Sequence, residues 1–573
     1  PQPPTAARKF PGHVLLAVML LVVTRGTPVA ASERMLPRTI DRSTKLVHDS
    51  RSDAAIVYPD VEDGRSLGRA VQQAVSEATG IELELVADSK VVDRIPRWPH
   101  KEYRNRPLVL IGNISTNRAI IPLYGNLLAG ADLGYPGGDG FTLRTVVNPY
   151  GNGVNEIVLG GSSVAGMNKA VQAFAAVARK SGRQGSLTLP GLLKVVPGGK
   201  YVEIVDRASA TALNCQWTGS QNMLQTVVKK ALAATYMDRK TKSYNPGHYG
   251  KEAVVRELIA LVQSGGLQPE EVQHVENILL AGLHEEYDKA WIVHTPNWVG
   301  TRHQTMGMMG FLVTADYLLN RANPNKEATV FLKTCVDQSH AYFQQFNSNY
   351  RDEGNDNTSF DSTGPIGRYI MAFGNSKFFA SGAAKLMAQR AIMMIDNRGW
   401  FVAPGNYEDV RQGSMNGGVD TTHSVHLPAF VHRDGELRWI IENARGINPM
   451  NNGGWAFGSG IAGNRYPFGP DLKAVKPRTW LGVTIQPLTS YYFDRCGKYM
   501  THSGTRRGRL AWKSLIPKDR AVEMVTFRDR FAPDAAYLFL NGFQGGRYNS
   551  MDANAILRYS DRGAIWLISQ TEQ

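Results

Sequence analysis

The sequence EIVLGGSSVAGMNKAVQAFAAVARKSG, residues 156–182, decides how the N-terminal part of the chain folds. It begins with a short apolar run of the kind found in buried strands, and that run ends in glycine. Ser162 or Ser163 then caps a predicted helix that continues through Lys180 and is closed by Gly182. A strand followed directly by a helix is typical of α/β folds.

The residues before this stretch repeat the alternation of strand and helix. Short apolar runs predict strands at 54–58, 81–87 and 108–112. An amphipathic helix is predicted over 66–79, where Gly80 stops it. We therefore expect a small α/β domain over residues 32–205.

From about residue 215 the apolar residues recur with the helical period of about 3.6. Helices are predicted at 223–237, 251–264, 269–287, 304–320, 326–346, 376–396, 424–432 and 435–443. Such a series predicts a helical bundle or an α/α toroid over residues 206–508. Long polar loops interrupt it, and loops of this kind usually carry the functional site.

The last part of the chain changes pattern again. Strands separated by turn residues are predicted at 521–527, 535–543, 555–559 and 564–569. They predict an antiparallel sheet over 509–573, so the fold class is multidomain α+β. Because the chain starts at Pro1 and stops soon after its last strand, we expect both ends to be incomplete.

Composition bounds the protein class. The chain has 573 residues, of which 43% are hydrophobic and 20% charged, which excludes a mostly disordered or collagen-like chain. The formal charge of +14 is compatible with an anionic partner. The 3 cysteines form no CxxC or Cys/His cluster, so we predict structural thiols and no cysteine zinc site.

The N-terminus has the pattern of a signal peptide over residues 1–31. Arg8 and Lys9 precede the apolar run Val14–Val23, and the small residues Val29-Ala30-Ala31 suit cleavage. We expect a secreted or periplasmic protein that is not membrane-bound after cleavage. The oligomeric state stays open.

Three polar and aromatic segments, 294–304, 349–369 and 404–426, contain the candidate site residues. These are Asn297, Trp298, Arg302, His303, Tyr369, Tyr407, Arg411 and His423.

The order of the parts resembles the polysaccharide lyases that join an α/α toroid to antiparallel β-sandwich sheets, among them the heparinase II/III-type, alginate and chondroitin AC-type enzymes. Asn297-Trp298 before a helix is similar to their Asn-Trp element, and 363–369 is similar to their glycine-flanked catalytic tyrosine segment. Residues 543–552 resemble the start of the heparinase II/III-type sheet domain. The N-terminal α/β unit resembles an accessory domain of several glycoside hydrolases.

The resemblance implies a central α/α toroid, an incomplete helical barrel, followed by the beginning of a truncated β-sandwich. It also implies cleavage of an acidic, uronate-containing polysaccharide by β-elimination. The related sheet motif usually carries histidines where this chain has Tyr548 and Ser550, so we predict no zinc there. No cofactor is required; a structural cation is compatible with the sequence but is not predicted.

The chemistry explains the choice of residues. Removing the C5 proton of a uronate requires neutralisation of the neighbouring carboxylate, which an amide such as Asn297 can provide. Tyr369 is the predicted acid and a possible base, and His423 is a candidate base. Arg302, His303 and Arg411 would bind carboxylate or sulfate. Trp298 would stack on a sugar, and Tyr407 is a further substrate-binding candidate.

Two alternatives remain at this stage. A glycoside hydrolase would need facing carboxylates, with Glu353 or Asp356 opposite Glu408 or Asp409 as candidates. A non-catalytic carbohydrate-binding protein would have an aromatic groove for the sugar but no close cluster of Asn, His and Tyr side chains. No nucleotide-binding motif is present, and the basic residues are scattered, so nucleic acid is not an expected partner.

Overall fold

The protein is described here by a computed structural model. The described residues are 33–132, 135–198, 237–238, 243–244, 247–287, 302–344, 358–398, 425, 427–443, 472–487, 522–541 and 555–568. The predicted signal peptide and cleavage site at 1–31 lie outside them. Within these ranges the protein combines helices and sheets, so the mixed α+β class is confirmed.

The N-terminal part contains a six-stranded sheet with strand order β3-β2-β4-β6-β5-β9. Its first four members in this order are parallel, and β5 pairs antiparallel with β6 and β9. The strands of this part are β1 (Thr44–Val47), β2 (Ala55–Tyr58), β3 (Glu84–Ala87), β4 (Leu108–Gly112), β5 (Phe141–Val146), β6 (Glu156–Gly161), β7 (Gly182–Arg183), β8 (Ser186–Leu189) and β9 (Leu193–Val196). The helices are α1 (Gly64–Thr79), α2 (Asp88–Val91), α3 (Lys101–Arg104), α4 (Ile121–Gly125) and α5 (Val164–Ser181).

One face of this sheet is covered by α1 and α5. Their apolar residues pack with the sheet residues Ile56, Val109, Ile157 and Leu159 in one buried cluster. The Ser163 hydroxyl caps α5 by accepting a hydrogen bond from the Gly166 N–H. Gly80 ends α1 in the left-handed conformation, as the sequence predicts.

The central part is helical and is organised around one helix. Its helices are α6 (Gly247–Gln263), α7 (Pro269–Tyr287), α8 (Arg302–Asn320), α9 (Lys326–Gln344), α10 (Thr358–Phe373), α11 (Ser376–Ala380), α12 (Ala383–Met393) and α13 (Gly435–Asn443), and residues 427–432 are also helical. A short hairpin, β10 (Met237–Asp238) and β11 (Ser243–Tyr244), precedes them. Helix α8 packs against α6, α7, α9 and α10. Every residue from 308 to 318 is buried, which is typical of a core helix.

The second face of the six-stranded sheet joins the core of the helical part. Ala55, Val57, Leu110 and Val158 belong to the same buried cluster as the apolar residues of α6–α10. A parallel sheet needs cover on both faces, and here its own helices cover only one. The α/β and helical parts therefore share one hydrophobic core.

Residues 33–40, which follow the predicted cleavage site, run along α7 and the turn between α8 and α9. Met35 is fully buried, and its backbone N–H donates to Asn277 at 2.8 Å. Arg38 forms an ion pair with buried Glu276 at 2.7 Å. This segment therefore extends from the sheet onto the helices.

The C-terminal part is an antiparallel five-stranded sheet in sequential order. Its strands are β12 (Gly482–Pro487), β13 (Val522–Arg528), β14 (Tyr537–Asn541), β15 (Ala555–Asp561) and β16 (Ala564–Ile568). One face packs on α12 and α13, with Tyr537 and Phe539 in the buried cluster. The opposite face is apolar and 42% to 67% exposed at Val483, Ile485, Phe527, Ile556 and Leu567.

Several elements differ from the sequence expectation. Strands β1, β5 and β7–β12 and helices α2, α3, α4 and α10 were not predicted. The single helix predicted over 376–396 is two helices, because Gly382 takes a left-handed φ of 85° between them. Strand β12 was not predicted, because its inward residues are the polar Thr484 and Gln486. Among the described helices, none combines the length and the apolar content needed to cross a membrane.

Glu156 is a buried carboxyl group at the start of β6. It is 1% exposed, and neither carboxyl oxygen has a hydrogen-bond partner in the described part of the chain. It points to the same sheet face as Val158, toward the core shared with the helices. Burial raises its pKa from 4.5 to about 8.

Glu156→Gln should remove a pH dependence of stability. The folded protein binds a proton at Glu156 more tightly than the unfolded chain does. The stability that this proton contributes is therefore fully present below pH 4.5 and is lost as the pH rises to about 8. The loss should reach roughly 5 kcal/mol, and the neutral amide should abolish it. Urea unfolding near both pH values checks this, with exposed Glu82→Gln as the control. An unchanged pH dependence in Glu156→Gln would contradict the assignment.

Candidate functional site

Of the predicted site residues, the structure describes the surroundings of Tyr369. Arg302 and His303 form the start of α8, where the backbone alone is described. Outside the described residues lie Asn297, Trp298, Tyr407, Arg411 and His423, together with the carboxylates of the hydrolase alternative, Glu353, Asp356, Glu408 and Asp409. Tyr369 is therefore the predicted site residue whose side-chain contacts are known.

Tyr369 lies on α10 and packs against one face of α9. Its side-chain oxygen is 3.0 Å from His340 Nδ1, and it accepts a hydrogen bond from Gln344 Nε2, also at 3.0 Å. Its ring stacks on Phe343 with the centroids 4.4 Å apart. Because residues spaced by three and four share one helical face, His340, Phe343 and Gln344 meet Tyr369 together.

Burial sets the protonation of both members of this pair. Tyr369 is 1% exposed, and burial raises its pKa to about 12, against a smaller lowering by the Gln344 hydrogen bond. Burial lowers the pKa of His340, and the carboxylates of Asp316 and Asp337 partly oppose this. Near neutral pH the pair is therefore a protonated tyrosine and a neutral histidine.

The donor and acceptor roles follow from this state. The Gln344 amide already donates to the tyrosine oxygen, and the hydroxyl carries one proton of its own. That proton can be donated to Nδ1 of the neutral His340 imidazole. The histidine then carries its own proton on Nε2.

Arg368, the neighbour of Tyr369 in sequence, points to a different partner. Its guanidinium binds both carboxylate oxygens of Glu252, with Nη2 to Oε2 at 2.8 Å. Arg256 binds the same carboxylate through Nε at 3.0 Å. Burial acts to raise the pKa of Glu252, but the two guanidiniums outweigh it, so the pKa is lowered. Arg368 therefore holds Glu252 and does not activate Tyr369.

An aromatic chain connects the pair to the α/β part. Trp98 packs on Phe373 with centroids 6.1 Å apart, and Phe373 meets the His340 ring edge-on at 5.1 Å. On its other side Trp98 contacts Tyr150 at 5.3 Å and lies under the Arg104 guanidinium. The Tyr369–His340 pair thus lies close to where the α/β and helical parts meet.

His340 and Trp98 were not among the residues selected from the sequence. His340, Phe343 and Gln344 lie on one face of α9, and this spacing of polar and aromatic residues could have indicated a candidate site. Trp98 carries no such pattern, because it lies in an irregular segment of the α/β part.

The described residues contain no group of three or more histidine, cysteine or acidic side chains that could hold a metal ion. Cys335 lies in the helical core, where burial raises its pKa to about 12, so its thiol stays protonated. Cys215 and Cys496 lie outside the described residues.

Comparison with known proteins adds no assignment for this chain. Neither a family model nor a curated protein matches it.

Tyr369→Phe should destabilise the helical part by about 1–2 kcal/mol. The substitution leaves His340 Nδ1 and Gln344 Nε2 without the hydroxyl that both contact. The free energy of unfolding in urea measures the effect. Tyr103→Phe, at a partly exposed tyrosine of the α/β part, is the matched control and should change it little. Equal values for both variants would contradict a bonded Tyr369 hydroxyl.

Proposed function

We propose that this chain is an exported polysaccharide lyase that cleaves an acidic, uronate-containing glycan by β-elimination. The observation that carries the proposal is the hydrogen bond between Tyr369 and His340. It brings a histidine to the tyrosine whose sequence segment resembles the catalytic segment of such lyases. No cofactor is needed for this chemistry.

The two groups have complementary protonation states. β-Elimination needs a base that takes the C5 proton and an acid that protonates the leaving oxygen. A tyrosine with a pKa of about 12 keeps its proton and can act as the acid. A histidine with a lowered pKa is neutral, and its unprotonated Nδ1 can act as the base once the Tyr369 hydroxyl turns from it to the leaving oxygen. Opposite shifts in two neighbouring groups are typical of acid–base pairs.

Access decides how a sugar would meet this pair. His340 is partly exposed, whereas Tyr369 is 1% exposed. A sugar oxygen can reach the tyrosine hydroxyl only if the side chains that cover it move. In this proposal His340 is therefore the first of the pair to meet the substrate, and displacement of the side chains that cover Tyr369 completes the site.

The other predicted residues keep their roles within the proposal. Asn297 neutralises the substrate carboxylate, Trp298 stacks on a sugar ring, and His423 is the alternative base. Arg302, His303, Tyr407 and Arg411 contact the anionic glycan.

The architecture that we propose is an α/α toroid followed by a β-sandwich. Helix α8 packs against α6, α7, α9 and α10, which is compatible with an inner helix of a toroid. The C-terminal sheet packs one face on helices and leaves an apolar face exposed. In a sandwich, a second sheet covers such a face. Export rests on the signal-peptide pattern of residues 1–31.

Ultraviolet absorbance of the unsaturated uronate product tests the activity. The full chain is incubated with alginate, glucuronan, hyaluronan, chondroitin sulfate, heparan sulfate, ulvan and pectate. Tyr369→Phe and His340→Gln should each lower kcat roughly 100-fold or more, and Asn297→Ala should also inactivate. Tyr103→Phe should retain activity. New reducing ends without absorbance would indicate hydrolysis, and sugar binding with neither signal would indicate a binding protein.

The pH profile of kcat distinguishes a histidine base from a tyrosinate base, and the loss of activity in His340→Gln distinguishes His340 from His423. If neutral His340 is the base, activity should rise with pH through a pKa below the ordinary value of 6.5 and then stay level. It should fall again only near pH 12, where Tyr369 loses its proton. Activity that instead increases through an alkaline pKa would identify tyrosinate as the base and contradict the assignment of His340.

A further inference from the structure

Gln344 is the last residue of α9 and lies beside the tyrosine of the candidate site. Its amide nitrogen Nε2 donates to the Tyr369 hydroxyl oxygen at 3.0 Å and to the Gly374 carbonyl oxygen at 3.2 Å. A backbone carbonyl oxygen can only accept a hydrogen bond, so the contact with Gly374 fixes which atom of the amide is the nitrogen. The same nitrogen therefore points a hydrogen at the tyrosine oxygen.

The backbone around Gly374 holds this donor in place. Gly374 directly follows α10, and a Cβ at this position would clash with the Pro96 carbonyl oxygen of the α/β part. The next residue, Asn375, donates from its side chain to the Phe343 carbonyl oxygen of α9 at 3.1 Å. The Gln344 amide is thus bound to a turn that contacts both α9 and the α/β part.

The Tyr369 oxygen has two hydrogen-bond contacts among the described residues. They are His340 Nδ1 and Gln344 Nε2, both at 3.0 Å. Arg368, the neighbour of Tyr369 in sequence, binds Glu252 instead. Within the part of the chain that the structure describes, the Gln344 amide is therefore the donor that faces this oxygen when His340 is neutral.

The proposed elimination turns Tyr369 into a buried anion. The tyrosine hydroxyl gives its proton to the leaving oxygen, whose bond to C4 breaks with the electron pair remaining on that oxygen. The electron pair of the C5–H bond becomes the C4=C5 double bond, and His340 takes the C5 proton. A phenolate at a residue that is 1% exposed is costly unless a donor stays bound to it.

We propose that Gln344 is a positioning residue of this reaction, whose amide stabilises the Tyr369 phenolate that forms when the leaving oxygen is protonated. The donor is bound to the tyrosine oxygen before the reaction, so it does not have to reorient as the charge develops. Protonated His340 then returns its proton from Nδ1 to the phenolate oxygen, which restores both groups. The inference rests on the proposed lyase function, because it assigns Gln344 a part in that reaction.

A fluorinated tyrosine in place of Tyr369 tests the stabilisation without any substrate. Ring fluorines lower the pKa of the hydroxyl into the range where the folded full chain can be titrated, and the fluorine NMR signal reports its ionisation. Gln344→Met, which keeps the length of the side chain but removes the donor, should raise this pKa by roughly 1 to 2. An unchanged pKa in Gln344→Met would overturn the inference, whether or not the chain is a lyase.

Gln338→Met is the matched control. Gln338 lies on the same helix, and its amide contacts the hydroxyl of a different tyrosine, Tyr287, at 3.5 Å. This variant should leave the pKa of the fluorinated tyrosine at position 369 unchanged. An equal rise in Gln338→Met and Gln344→Met would show a general effect of altering α9 and would overturn the inference.

Steady-state kinetics on a polysaccharide that the chain cleaves test the part in the reaction. Gln344→Met should lower kcat roughly 10-fold and leave KM nearly unchanged, because the phenolate forms only after the substrate is bound. Gln338→Met should keep kcat. Gln344→Leu, which also lacks the donor, serves if Gln344→Met does not fold, and it should lower kcat to a similar extent.

Two outcomes of the kinetics contradict different statements. A normal kcat in the Gln344 variants of an active chain would overturn the role of Gln344 and leave the lyase function standing. If the unmodified chain forms no unsaturated product, while the pKa of the fluorinated tyrosine still rises in Gln344→Met, the proposed function fails and the inference fails with it.

Discussion

The burial of α8 on all sides is the constraint on which much of the structure depends. Because every residue from 308 to 318 is buried, polar groups on this helix must find partners inside the protein. Tyr317 donates to Glu276, which also binds Arg38 of the N-terminal segment. Asp316 pairs with Arg321 at 3.6 Å and acts electrostatically on His340 as well. One helix thus links the N-terminal segment, buried Arg321 and the histidine of the candidate site.

The shared core has consequences for both parts that it joins. The six-stranded sheet covers one face with α1 and α5, and the helical part covers the other. Removal of the helical part would expose Val57 and Leu110, which are fully buried. The exposed apolar surface would cost about 25 cal/mol per Å². The aromatic chain from Trp98 to His340 runs near this junction, so a change in either part can reach the candidate site.

Local signals in the sequence predicted most of the described elements. The helix predicted over 269–287 has the same bounds in the structure, because Pro269 suits its first position and acidic residues occupy its first turn. The serine that caps α5 and the glycines that end α1 and α5 were also predicted, because capping depends on only a few neighbouring residues. Strand β12 was not predicted because its apolar residues face outward. Residues 376–396 were predicted as one helix, although Gly382 divides them into two.

For the site, the sequence by itself marked Tyr369 in a glycine-flanked polar and aromatic segment, and it predicted helix α9, which carries His340, Phe343 and Gln344 on one face. It did not determine that Tyr369 lies on a helix, α10, or that this helix meets that face of α9, since residues 29 positions apart come together only when the two helices pack. Arg368 shows the same limit: its neighbour in sequence is Tyr369, but its partner is Glu252, 116 positions away. Composition and periodicity act along the chain, whereas hydrogen bonds, burial and pKa shifts depend on atoms that only the tertiary structure brings within a few ångströms.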